Sequence, residues 1–291
     1  MTDTGVFDGI PMPDYISLDA FSAGLAFDIL NSSPYHAKYE RDNPSAPSKE
    51  SDLGVYAHAM LLEGGIDCLQ VIDAEDYRTK LARELRDAAR AEGKLPILAI
   101  KLPEVKLMVK AAHEYLASSE LAGILDSGKP EQTLVWKQDG LLCKARPDWL
   151  NQERTVLMHY KTTAGSAEPG AWQRTQLVGM GYDLAAVLYE RGAETELPGT
   201  AWQSVFLVQE QKPPYACSLT ALTPQMAQIA NAKLARAMAT WAECLKNGRF
   251  PAYPTAIQYA EPKAWQLYEA EEKGYAPDVS WREQVDLGGQ A

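Results

Sequence analysis

Apolar residues recur at helical spacing through Leu18, Phe21, Leu25, Ile29 and Leu30 and stop at Ser33-Pro34, which predicts a first helix. The stretch before it, through about Asp19, carries Pro11 and Pro13 and reads as an irregular lead-in. Residues 35–51, polar and punctuated by Pro44 and Pro47, read as a loop. A second helix is predicted over 53–63, where the small Gly54 and Ala57 permit close packing and His58 lies inside. Asp73 suits an N-cap for a third helix running to about residue 92, closed by Gly93. Leu81, Leu85 and Ala88 mark its apolar face, and Arg83, Arg86 and Arg90 form a stripe on another. From Pro103 onward, Val105, Met108, Val109, Ala112 and Leu116 trace the buried side of a fourth helix.

The pattern then shortens to strand-like runs. Residues 132–136 and 141–146 flank an Asp139-Gly140 hairpin turn, and 155–160 is an apolar, β-branched run. A long helical pattern covers 172–191, strands are predicted over 202–208 and 215–222, and Thr223-Pro224 opens a last long helix ending before Gly248. The remainder, rich in Pro, Tyr and Trp, reads as an extended tail. No internal repeat interrupts this order. The expected fold is α/β (α+β): a central mixed sheet of about five strands flanked by helices. One domain over 1–291 is expected, with a helical portion at 1–130, a sheet core at 131–222, and a long helix and tail at 223–291.

Composition narrows the class. The 291 residues are 46% hydrophobic and 23% charged, which suits a globular chain with a sizeable core. Four scattered cysteines without a CxxC pair point to reduced thiols and away from zinc or iron–sulfur sites. No apolar run reaches the roughly eighteen residues of a membrane span, and the first residues lack a signal-peptide pattern, so a cytoplasmic protein is expected. The net charge of −11 excludes a broadly basic coat protein. It leaves room for a local basic face, because residues 78–110 hold nine Lys or Arg against four Asp or Glu.

Chemistry concentrates in residues 143–163, CKARPDWLNQERTVLMHYKTT. Asp148 and Lys161 fall on successive strand-like runs, a spacing that would set a carboxylate and a lysine side by side at one end of a sheet. A carboxylate supplies oxygen ligation for Mg²⁺ or Mn²⁺, and a lysine orients or deprotonates water and offsets developing negative charge. Alone, PD followed by xK is a weak signal. Alone, too, His58 reads as a packed or surface histidine.

Order adds specificity. SSPYHAKY, LGVYAHAMLLEGG, CKARPDWL, the strand ending in KTT, GYDLAAVLY and NGRFPAYP succeed one another along residues 18–265. In this the chain resembles the PD-(D/E)xK nuclease superfamily, in its exonuclease VIII (RecE-like) and phage lambda exonuclease branch. The resemblance implies a restriction-endonuclease-like core and a metal-dependent DNA exonuclease acting on duplex ends, with a divalent ion, Mg²⁺ or Mn²⁺, as cofactor. It implies duplex DNA ends and a single-strand annealing protein as partners, and a toroidal homo-oligomer, trimeric or tetrameric, with Arg83, Arg86, Arg90 and Lys110 facing the DNA. By position, Asp148 matches the first acidic ligand, Lys161 the catalytic lysine, His58 the helical histidine of the metal site, and Tyr189 the tyrosine of a QxxxY element near the DNA. Glu131 stands where relatives often carry an acid, and Arg146 is a further DNA-binding candidate. Two positions depart from the pattern: His159 occupies the place of the second acid, as a candidate catalytic and metal-binding residue, and Ala185 replaces the glutamine of QxxxY. Nitrogen at position 159 favours Mn²⁺, Fe²⁺ or Zn²⁺ over Mg²⁺. Three readings follow: an active enzyme with an altered ligand set, a silent protein that keeps the fold and binds DNA ends or a partner, or a nuclease disabled by a deliberate substitution at position 159.

Overall fold

The structure, a computed structural model, describes residues 3–43, 53–199 and 201–275. The chain divides into two compact units, Met1–Ala252 and Tyr253–Ala291. Among the described residues, every sheet belongs to the first.

That unit begins with β1 (Gly5–Phe7), α1 (Met12–Ser17), α2 (Ala23–Asn31) and α3 (Pro34–Asp42). The irregular lead-in and the loop expected here are therefore partly regular. Ser33 accepts a hydrogen bond from the His36 amide and Pro34 takes the first helical position, so Ser-Pro starts α3 rather than ending the chain's order. Residues 44–51 of that expected loop lie outside the described residues. Next come α4 (Leu53–His58) with a π-helical turn at Ala59–Glu63, then β2 (Leu69–Ile72), α5 (Lys80–Ala91), β3 (Leu95–Leu98) and α6 (Leu102–Ala117). The β centre holds β4 (Lys129–Pro130), β5 (Thr133–Gln138), β6 (Leu141–Ala145), β7 (Trp149–Asn151) and β8 (Val156–Thr163). After α7 (Pro169–Trp172) and a second π turn follow α8 (Tyr182–Glu196), β9 (Gln203–Glu210), β10 (Cys217–Ala221) and α9 (Pro224–Asn247). The second unit contributes α10 (Ala264–Glu272), which buries no residue.

The main sheet runs β10-β9-β8-β7-β4, parallel between β8 and β9 and antiparallel elsewhere. Its mixed character and flanking helices match the expected class. Two smaller sheets, β1-β5-β6 and the parallel pair β2-β3, complete the set. Alternation along β8 divides the layers. Val156, Met158 and Tyr160 pack with the buried stripe of α6, while Leu157 packs with α8 and α9.

Three further expectations change. The third helix starts at Thr79, whose hydroxyl accepts from the Ala82 amide, rather than at Asp73. Its buried positions are Ala82 and Ala89, whereas Leu81 and Leu85 are 66% and 44% exposed. Two small residues let the helix lie close on the narrow β2-β3 pair, and a sheet that narrow leaves the leucine side in water. Finally, the helix expected over 172–191 is broken before α8. Gly181 takes φ +70°, and a Cβ there would meet the Phe27 ring at 2.6 Å, so the chain reverses tightly against α2.

At Gly192 in α8, a Cβ would come within 2.6 Å of the fully buried Trp136 ring on β5. The substitution Gly192→Ala is expected to destabilise the protein by about 1–3 kcal/mol, overpacking exceeding the helix-propensity gain. Urea denaturation checks this; a stabilised variant would show that the helix seats elsewhere.

Candidate active site

The site lies on a seam where the chain changes sheets twice. At Glu131, between β4 and β5, the backbone turns through φ +50° from the main sheet into the β1-β5-β6 sheet. At Arg146-Pro147-Asp148 it returns, because β6 belongs to the small sheet and β7 to the main one. Asp148 thus opens a new strand instead of closing the preceding one. The Glu131 amide donates to the Asp148 carbonyl at 3.2 Å, which holds the two crossings side by side.

Asp148 Oδ2 accepts from Lys161 Nζ at 2.9 Å and from the Tyr160 amide at 2.8 Å. Burial by itself pushes the Asp148 carboxyl up, but the charges of Lys161 and His58 outweigh it and hold the group well below the usual carboxylate range. Burial pulls Lys161 down, and Asp148 more than reverses that, so the lysine stays charged. His58, at the end of α4, approaches from the other side: Nε2 stands 3.6 Å from Asp148 Oδ2 and 3.7 Å from Glu131 Oε1. Its ring stacks on Tyr160, whose hydroxyl donates to the buried Gln209. Burial lowers the His58 pKa, yet the surrounding carboxylates win and carry it up to about 10. Burial raises Glu131 to about 7, with the charge of Asp148 adding to the effect.

The π turn adds a residue that sequence reading missed. Glu63 Oε1 sits 2.9 Å from His58 Nδ1. In an α-helix, residues five apart point away from each other; a π turn brings i and i+5 onto one face. His58, Glu63 and Glu131 thereby gather ligand atoms within 4.8 Å of one another. One imidazole and two carboxylates, with Asp148 beside them, form a donor set suited to a divalent cation. The clustered carboxylates, one of them driven toward its neutral form, suit it further, because a cation would relieve that repulsion.

The other expected residues distribute unevenly. His159 is 2% exposed on β8, with its ring 5.0 Å from Phe206 and 5.3 Å from Tyr189. Its Nε2 has no hydrogen-bond partner, and burial takes its pKa down to about 4, so it is neutral. It shares a cavity with Asp148 and Lys161 but lies outside the groove of about 1210 Å³ that holds His58, Glu63 and Glu131. Arg146 is buried, donating to Thr133 Oγ1 and the Ile10 carbonyl and packing over Tyr15, which leaves its guanidinium to support Glu131 at 3.9 Å. Of the arginine stripe, Arg90 lines the groove, Arg86 pairs with Asp87 and packs over Tyr77, and Arg83 is exposed. Lys110 lies on α6, paired with Glu114. Tyr189 borders both the groove and the His159 cavity.

A mixed sheet with a carboxylate and lysine on adjacent strands, a helical histidine and a nearby acid defines a PD-(D/E)xK-type fold. The sequence matches the family described as PDDEXK-like domain of unknown function (DUF3799) over residues 27–263, and the chain belongs to that family. No curated protein sequence matches it. A crystal structure named "Putative exonuclease", from Eubacterium rectale, shares the fold with a TM-score of 0.54, covering 91% of this chain and 99% of that one at 11% identity. Among the described residues, no helix is long and apolar enough to cross a membrane.

The shifts fix a pH dependence for the metal-free protein. The pKa of His58 is raised from 6.5 to about 10 and that of Glu131 from 4.5 to about 7, so the folded state holds protons the unfolded chain releases. Stability from Glu131 is full below pH 4.5 and fades through 7, and that from His58 is full below 6.5 and fades through 10. Below pH 6.5 His159, lowered from 6.5 to about 4, works in the opposite sense and offsets Glu131, and above about pH 8 the lowered Lys144 does the same against His58. In EDTA, urea midpoints should therefore fall from about pH 6.5 to 8, and His58→Gln should flatten the upper part of that decline. An unchanged upper slope in that variant would remove His58 as its source.

Proposed function

We propose that the protein is a metal-dependent deoxyribonuclease of exonuclease type, acting on duplex DNA ends. The observation that carries this reading is the Asp148–Lys161 pair at 2.9 Å, set beside the His58, Glu63 and Glu131 donors in one groove. His58, Glu63, Glu131 and Asp148 would hold the cation, which supplies neutralisation of phosphodiester charge and activation of water. The mixed nitrogen and carboxylate set fits Mn²⁺ at least as well as Mg²⁺.

Around that centre the protein's own groups have separable tasks. Asp148 holds the Lys161 ammonium through a charge-assisted hydrogen bond and so aims it into the groove. Charged Lys161 offsets negative charge developing on the phosphate and its leaving oxygen. Glu131, with Arg146 at 3.9 Å beside it, lends its carboxylate to the cation rather than to proton transfer. Arg90, on the groove wall, offers a positive contact for the phosphodiester backbone. Tyr189 presents an aromatic edge where the strand would pass.

A second reading rests on His159, which leaves β8 without a carboxylate beside Asp148. On that reading the fold binds DNA ends without cutting.

Release of nucleotides from linear duplex DNA decides between them. Wild type should digest with Mn²⁺ or Mg²⁺ and stop in EDTA. Lys161→Met should lower the rate by about 10²–10⁴-fold, and Glu63→Gln should raise the Mn²⁺ concentration required. Binding to duplex ends without digestion under either ion would establish the silent protein instead.

A further inference from the structure

On the far side of the Asp148–Lys161 pair from His58 lies a second chamber of about 230 Å³. Helix α2 closes it with Gly24, Phe27 and Asp28, the first turn of α8 adds Tyr182, and the sheet contributes His159 and Phe206. Three properties define what it would take. Its volume is that of roughly eight water molecules, enough for one heterocycle of about ten heavy atoms. Phe27, Tyr182, Tyr189 and Phe206 give it aromatic walls on several sides. His159 lines this enclosure, and its Nε2, buried without a partner, is an unused hydrogen-bonding atom, a cost that a bound partner would remove.

The charges argue against a phosphate in the same space. Among its described lining residues the single ammonium of Lys161 stands against two carboxylates, Asp148 and Asp28. We propose that this chamber is a nucleobase subsite, holding the base of the nucleotide next to the scissile phosphate between aromatic rings and reading its edge through His159. The assignment rests on the nuclease reading, and it gives His159 the task of recognition rather than metal binding. Asp28, half-buried at the rim, is placed to accept from exocyclic amino groups.

The test uses the full chain with oligonucleotide duplexes carrying one abasic residue, walked through the terminal positions, in Ca²⁺ to suppress turnover. Wild type should lose about tenfold in affinity at one position only, in the range of one base–aromatic stack. His159→Asn should reduce that penalty to about twofold. So should Gly24→Leu, which fills the chamber from a helix position where a Cβ meets only Ser22 Oγ at 4.0 Å. Calorimetric Mn²⁺ affinity should match wild type in both variants. Competition by deoxyadenosine 5′-monophosphate would assign the chamber to the released nucleotide, and a penalty without competition would assign it to the base still in the strand. Uniform affinities along the walk, a penalty retained in both variants, or Mn²⁺ affinity lost in His159→Asn would each overturn the proposal. Digestion with uniform affinities would sink this subsite alone; a position-specific penalty without digestion under any ion would sink the nuclease reading and leave the subsite standing.

Discussion

A carboxylate as enclosed as Asp148 is tolerated only with its charge compensated in place, since removing an ion from water costs several kcal/mol. Two donors meet one oxygen here, the Lys161 ammonium and the Tyr160 amide, and both come from β8. That requirement orders much of the molecule. It puts the start of β7 against Met158 in the first half of β8, holds Lys161 at a fixed point of the groove, and lets His58 pack on Tyr160. Without Lys161 the Tyr160 amide and His58 would be left to compensate that charge, so the chemistry of the site and the packing of the sheet draw on the same groups.

The two sheet crossings explain how residues so distant in sequence meet. Glu131 stands at the exit of β4 and Asp148 at the entry of its neighbour β7, joined through the backbone, and Arg146 fastens the same seam through Thr133. Buried Arg146 illustrates a general point about basic residues beside an acidic centre: its hydrogen bonds go to the scaffold, and its effect on a ligand is carried by the acid it steadies. Arg90 is differently placed, exposed on α5 and lining the groove.

Legibility in the sequence followed the physics of each element. α6 and α9 were readable because a full apolar stripe and strong end signals agree, and Asp139-Gly140 marked its hairpin because both residues take positive φ. Asp148, Lys161 and His58 were readable through the order of motifs. The face of α5 was not, because β2 and β3 are four-residue strands too short to announce themselves, and without them the larger side chains looked like the buried ones. Glu63 was hidden for another reason: a helical reading assumes 3.6 residues per turn, and on that wheel it points away from His58. His159 was placed correctly on its strand, but which cavity it would face depends on helix α2 and the turn at Gly181, and neither follows from local pattern.

The π turn after α4 also bears on how relatives should be compared. Such a turn holds one residue more than an α-helical turn spanning the same rise, so it behaves as an insertion inside a helix. An alignment that forbids gaps within helices would shift everything on one side of Ala59–Glu63 by one place. Glu63 would then be matched to a neighbour of its true counterpart, and an acid conserved in space would look like a variable position in the columns.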